Sequence, residues 1–220
     1  MGFLESAVVI YLRQLCYTNG FTFPLQPLNQ HLAVVELCRE AATIIMLVAI
    51  GVLSGKNLAE RFAWFIFSFA VWDIFYYVFL YVFLGWPQSL FSWDILFLIP
   101  VPWVGPVLAP VIISLTLILY ALIINHYSGM GKLVKLSWSE VTLMVSGCLV
   151  VIYSFTEDYI KQEGDLLFGN LRRGASLLAN LSTYVPVHFD WWLFVIGEGL
   201  LLANCFLTLH KARTGMSNKN

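Results

Sequence analysis

Charge is the scarcest commodity in this chain. Asp, Glu, Lys and Arg make up 11% of its 220 residues, against about 25% in soluble domains. Hydrophobic residues make up 60%, and the mean hydropathy is +0.80. That balance excludes an ordinary soluble domain. A net charge of −1 leaves no basic face, so nucleic acid is not an expected partner. Cysteines are few: Cys16, Cys38, Cys148 and Cys205 lie far apart with no C-x-x-C pair. They read as buried thiols rather than disulfides or metal ligands. H-E-x-x-H and G-x-S-x-G are missing, and with them the usual signatures of zinc hydrolases and serine hydrolases. No glycine-flanked aspartate marks an intramembrane aspartyl protease. No two histidines sit at mid-depth of separate apolar runs, which argues against transmembrane haem ligation. The lack of an internal repeat argues against an inverted-repeat transporter. The first sixteen residues carry Glu5 and Arg13 and lack a basic start before an apolar run, so no cleavable signal peptide is expected. Metal and cofactor stay unassigned.

Long apolar runs are what the chain does have. A span needs about 20 apolar residues at 1.5 Å each, and 31–54, 62–84, 106–127, 138–156 and 189–209 all qualify. The expected fold is all-α: a polytopic transmembrane helix bundle of five spans, one membrane domain over 1–220, with the lipid bilayer as its first partner. Near the start, Phe3, Leu4, Ala7, Val8, Tyr11, Leu12 and Leu15 recur at helical spacing, opposite Glu5, Arg13 and Gln14. The stretch 3–16 is too short and too polar to cross, so an amphipathic helix in the interface plane is expected. Residues 88–99, held between Pro87 and Pro100, are too few to cross and too apolar for ordinary loop. A re-entrant or interface-lying helix is expected there. The polar stretch 157–188 is expected as an extramembrane cap on the outer side. Aromatics reach 16%, with eight Trp, suited to the two membrane interfaces.

Ionisable residues inside the spans are the strongest functional pointer. Glu36, Arg39 and Glu40 fall in the first span, Asp73 in the second and Glu198 in the fifth. A charge near the bilayer centre costs about 2.5–3.5 kcal/mol on insertion scales. One arginine cannot balance four ionised acids, so either some acids carry protons or a cation is shared among them. Spacing places Glu36 and Glu40 on one helix face beside Arg39. Asp73 continues through Tyr77 and Tyr81, with Tyr76 alongside, toward the outer side, where Asp94, His188 and Asp190 offer further polar contacts. Three readings follow: a structural polar core, a proton or cation site shared by Glu40, Asp73 and Glu198, or a catalytic pocket. In the last, Asp73 or Glu40 acts as base and Tyr76 or Tyr77 orients a lipid or quinone-like substrate. The first two correspond to a non-enzymatic membrane subunit, paired with other membrane subunits, or to a small transport-like protein. His188 with Asp190 makes poor zinc chemistry with one histidine, and Asn180-Leu181-Ser182 is an acceptor triplet only in a eukaryotic secretory setting.

Phe3-Leu4-Glu5, Tyr11-Leu12-Arg13, Arg39-Glu40-Ala41-Ala42, Trp72-Asp73-Ile74-Phe75-Tyr76-Tyr77, Gly85-Trp86-Pro87, Trp93-Asp94 and the run Ile99 to Pro110 resemble a group of bacterial multi-pass inner-membrane proteins that carries no known activity. The resemblance covers about the first 120 residues. It implies a bacterial inner membrane, with periplasm as the outer side, and transfers no site residue.

Lys and Arg set the orientation. Lys56, Arg61, Lys132, Lys135, Lys211, Arg213 and Lys219 fall on one side, and Arg13, Lys161, Arg172 and Arg173 on the other. The richer side is expected to be cytoplasmic, giving an outside N-terminus and a cytoplasmic C-terminus. A single cysteine at position 132, in a background without native cysteines, should resist a membrane-impermeant reagent added to intact cells. Labelling from outside would reverse the assignment.

Overall fold

The computed structural model describes residues 1–17, 22–24, 30–99, 101–131, 137–173 and 184–214. Among these residues lie six helices and one hairpin: α1 (Gly2–Cys16), α2 (Gln30–Ser54), α3 (Leu58–Leu84), β1 (Trp93–Phe97), β2 (Trp103–Pro106), α4 (Leu108–Gly129), α5 (Trp138–Arg173) and α6 (Trp191–Thr214). Five helical stretches are long and apolar enough to cross a membrane: His31–Ser54, Leu58–Leu84, Leu108–Gly129, Trp138–Gln162 and Trp191–Thr214. This is the architecture of a multi-pass membrane protein. The outward faces of these helices carry large apolar side chains, among them Ile45, Leu53, Val82, Leu115, Leu149 and Phe206. Lys132, Lys135 and Lys219, which bear on the orientation, lie outside the described residues, as do the Asn180 triplet and 174–183 of the expected cap.

Two compact units make up the chain. The first gathers Met1–Thr43, Phe75–Leu108 and Ile152–Asp190; the second gathers Ile44–Ile74, Ala109–Val151 and Trp191–Asn220.

In the first unit, α3 stops at Gly85, whose N–H donates to the Tyr81 carbonyl (2.9 Å) with φ at +64°. Glycine reaches this left-handed conformation without a Cβ clash, which is why it ends helices. Beyond it the expected helix over 88–99 does not form. β1 pairs antiparallel with β2, Asp94 opposite Gly105 and Ile95 opposite Val104, with an irregularity between Ile95 and Phe97. Trp93, Ile95 and Phe97 are β-branched or aromatic residues at alternating positions, a spacing that suits a strand better than a helix. An isolated hairpin is marginal, and this one is backed by packing: Val104 joins Tyr159 of α5 and Tyr184 in a buried cluster. Gly105 lies so close to Phe155 and Phe189 that a Cβ would sit 2.6 Å from the Phe155 ring. The stretch from 157 onward begins as a continuation of α5, which runs unbroken to Arg173.

In the second unit, Ala63 and Ile66 of α3 pack with Tyr120, Ala121, Ile123 and Ile124 of α4 and Cys205 of α6. One helix start carries a reciprocal capping box, Ser137 with Glu140, and another a variant, Asn57 with Glu60, in which the acid reaches the Lys56 N–H. Asn57 accepts the Glu60 N–H (3.0 Å) while Glu60 accepts from Asn57 Nδ2 (2.8 Å) and the Lys56 N–H (2.8 Å). Ser137 Oγ accepts the Glu140 N–H (3.4 Å), and Glu140 takes the Ser137 N–H (2.7 Å) in return. Both caps reach further. Glu60 accepts a hydrogen bond from Ser128, and Glu140 pairs with Lys211 (2.9 Å) and accepts from Thr208 (3.1 Å), so the start of α5 is tied to α6.

Helices α5 and α6 meet through glycine. A Cβ on Gly197 would stand 2.7 Å from Val151 Cγ2 and 2.9 Å from its backbone nitrogen, whereas one on Gly199 would meet nothing within 4 Å. Gly197→Ala should therefore cost about 1–3 kcal/mol by overpacking. Gly199→Ala should gain about 0.5–1 kcal/mol from helix propensity. Thermal unfolding of the two variants in one detergent checks the opposite signs.

Candidate functional site

Helix α2 buries Ala33, Glu36, Glu40, Thr43 and Leu47, positions that recur at three and four and so form one stripe of the helix. Three polar residues thus occupy the middle of its protein-facing side. Arg39, at the edge of the stripe, bridges two acids. Its Nη2 and Nε each stand 2.8 Å from Glu36 Oε2, and its Nη1 pairs with Glu5 Oε1 of α1. Thr43 Oγ1 donates to the other Glu5 oxygen (3.3 Å). The planar arginine fork suits this double duty, since its donors leave in fixed directions. Both oxygens of Glu40 lie 3.1 Å from a single donor, the Leu98 N–H just past β1.

A second charged group holds the other end of α1. Buried Arg13 lies over the Trp86 ring, 3.9 Å from its centroid, a cation–π arrangement. Its Nη2 is 3.8 Å from Asp94 Oδ1 on β1, too long for a hydrogen bond and so a contact through charge. Burial pushes the Asp94 carboxyl up to about 6, while Arg13, the Ile95 N–H and the Tyr77 hydroxyl pull it down. Tyr77 stacks toward Trp86 with centroids 6.3 Å apart.

Around α1 and α2 the acids Glu5, Glu36, Glu40 and Asp94 thus face the bases Arg13 and Arg39. Among the described residues that is four against two. Glu40 feels Arg39 through space, but the arginine's short contacts go to Glu5 and Glu36.

Asp73 and Glu198 belong to the second unit, and there each has its own hydroxyl on α4. Ser114 Oγ donates to Asp73 Oδ2 (2.9 Å), and Thr116 Oγ1 donates to Glu198 Oε1. Residues two apart on a helix point about 200° away from each other, so α4 stands between these two acids. The arrangement differs from a pocket shared by Asp73 and Glu198. A hydroxyl partner for each acid is what the packing of α4 against α3 and α6 supplies.

The remaining candidates lie elsewhere in the first unit. Tyr76 gives its backbone carbonyl to Ser6 Oγ (3.1 Å). His188 is exposed, and half-buried Asp190 lies within electrostatic reach of Lys161, which pairs with Glu157 (2.6 Å). A few residues upstream, Tyr184 donates to Asp158 (2.7 Å), and burial together with that carboxylate holds its phenol above the ordinary range. Among the described residues no group of three His, Cys, Asp or Glu is placed to hold a metal ion.

Periodicity alone turns Glu5 and Arg13 toward water, and it gives no prominence to Thr43, Ser114 or Thr116. The spacing Glu36-x₃-Glu40-x₂-Thr43 between Ala33 and Leu47 is the available signal for Thr43. A hydroxyl inside an apolar run carries none. Compared with protein-family models, with curated proteins and with solved structures, the chain matches nothing.

Arg39→Met strands Glu5 and Glu36 together. Breaking a buried pair costs about 3–5 kcal/mol, and the partial exposure of Arg39 places this case toward the lower end. Adding Glu36→Gln should restore part of the thermal stability. An unchanged melting temperature in Arg39→Met would mean that the bridge contributes nothing to holding α1 on α2.

Proposed function

We propose that this chain is a non-enzymatic integral protein of the bacterial inner membrane, a membrane subunit or small transport-like protein that binds a proton at the carboxylate–arginine cluster of α1 and α2. The N-terminus lies outside and the C-terminus in the cytoplasm, and the turn carrying β1 and β2 dips into the outer leaflet without crossing.

The observation that carries the reading is the imbalance around Glu40. Glu5 and Glu36 share Arg39, and Asp94 has Arg13, but both oxygens of Glu40 have one backbone N–H between them. A carboxylate can accept about four hydrogen bonds, and an under-partnered one in apolar surroundings is stabilised by taking up a proton. Glu40 is the proton-carrying group; Glu36 and Arg39 set the field around it. Asp73 and Glu198 each accept from an α4 hydroxyl in the second unit, where Glu198 Oε2 is buried without a hydrogen-bond partner.

Glu40→Gln keeps an oxygen for the Leu98 N–H, so the hairpin should stay seated and far-ultraviolet circular dichroism should not change. Infrared difference spectra of the membrane-reconstituted protein between acid and alkaline pH should then lose one protonated-carboxyl band relative to the parent chain. An identical set of carboxyl bands in both proteins would remove Glu40 from the reading.

A further inference from the structure

Helix α1 is amphipathic the wrong way round for a helix beside water. Its buried residues are Gly2, Ser6 and Arg13, with Glu5 also turned inward to Arg39 and Thr43. Its outward stripe is Leu4 (65% exposed), Tyr11 (65%) and Leu15 (78%), with half-buried Val8 between them. Water would favour the opposite rotation, since such a stripe exposes apolar area while burying charge. The charges are on the inside because the inside is where their partners are.

The place where α1 packs agrees. Phe3 meets Phe79 edge-on (5.5 Å between centroids) and also contacts Phe83 (5.8 Å), and Ser6 donates to the Tyr76 carbonyl. These α3 residues fall within the apolar stretch Leu58–Leu84 that is long enough to cross a membrane. Beside them Phe75, Val78, Val82 and Phe83 turn large apolar side chains outward. The exposed stripe of α1 therefore continues the outward apolar surface of a spanning helix.

We propose that lipid acyl chains cover Leu4, Val8, Tyr11 and Leu15, so that α1 is a sixth membrane-embedded helix walling Glu5, Glu36 and Arg39 off from the lipid. At 15 residues and 1.5 Å each, α1 is about 22 Å long, short of the roughly 30 Å hydrocarbon thickness. It occupies one leaflet. A surface-lying helix turns its polar side to water; α1 turns that side to the protein.

The test places single nitroxide labels at positions 4, 8, 11 and 15, and at 82 on α3 as reference. The background lacks native cysteines, and the protein is reconstituted in phosphatidylcholine–phosphatidylglycerol vesicles. Power saturation compares collision with oxygen, which concentrates in lipid, against a water-soluble nickel chelate. Oxygen should dominate at all four α1 sites as it does at 82. Dominance of the nickel chelate at 4, 8, 11 and 15 would show a water-facing helix and overturn the proposal. Protection from both reagents would mean that protein, not lipid, covers the stripe, and would overturn it too. If 82 itself reported nickel, the spanning assignment of α3 would fall along with the α1 proposal, and the proton reading of Glu40 would then have to be judged on its own infrared test.

Discussion

A charge in an apolar medium must find its complement inside the protein, and the layout of this chain follows from that requirement. Desolvating an ion costs several kcal/mol even after relaxation, and only good geometry with further hydrogen bonds recovers it. The chain meets the demand in three ways. Arg39 is divided between Glu5 and Glu36; Arg13 is set between an aromatic face and a carboxyl group; Asp73 and Glu198 each accept from a hydroxyl of α4. Glu140 is the fullest case, with Lys211, Thr208 and its own helix cap all converging on it. Glu40 and Glu198 are the least provided for: one backbone donor serves both Glu40 oxygens, and Glu198 Oε2 is buried without a hydrogen-bond partner.

The same requirement explains what the sequence could and could not reveal. Spans announce themselves because hydropathy sums over about 20 residues, and the five apolar helices appear close to where the runs are. The hairpin was not legible. A run of a dozen mostly apolar residues between prolines fits a short helix or two short strands equally well by composition, and pairing with 103–106 is a non-local fact. The rotation of α1 was hidden for a different reason. Periodicity separates a polar from an apolar side, but it does not say which one meets solvent when the solvent is lipid. Only the location of Arg39 and Asp94 decides that.

Site residues divide along the same line. Glu36, Arg39 and Glu40 were legible as a local group because residues three and four apart on a helix are neighbours. Glu5 and the Leu98 N–H come from other elements, and Ser114 and Thr116 are ordinary residues of an apolar helix until α4 is packed. The caps were legible in principle, as Asn57-x-x-Glu60 and Ser137-x-x-Glu140, but nothing in the local pattern points to Ser128 or Lys211.

Partnership also has a direction along the chain, and so a timetable during synthesis. Glu40 precedes Leu98 by 58 residues and Asp73 precedes Ser114 by 41. Both acids emerge from the ribosome before these two donors exist. Glu198 is made 82 residues after Thr116 and meets a waiting hydroxyl. A nascent chain halted between 73 and 114 therefore holds an aspartate with no Ser114 to receive it. The bond that joins α3 to α4 can form only once α4 has been made.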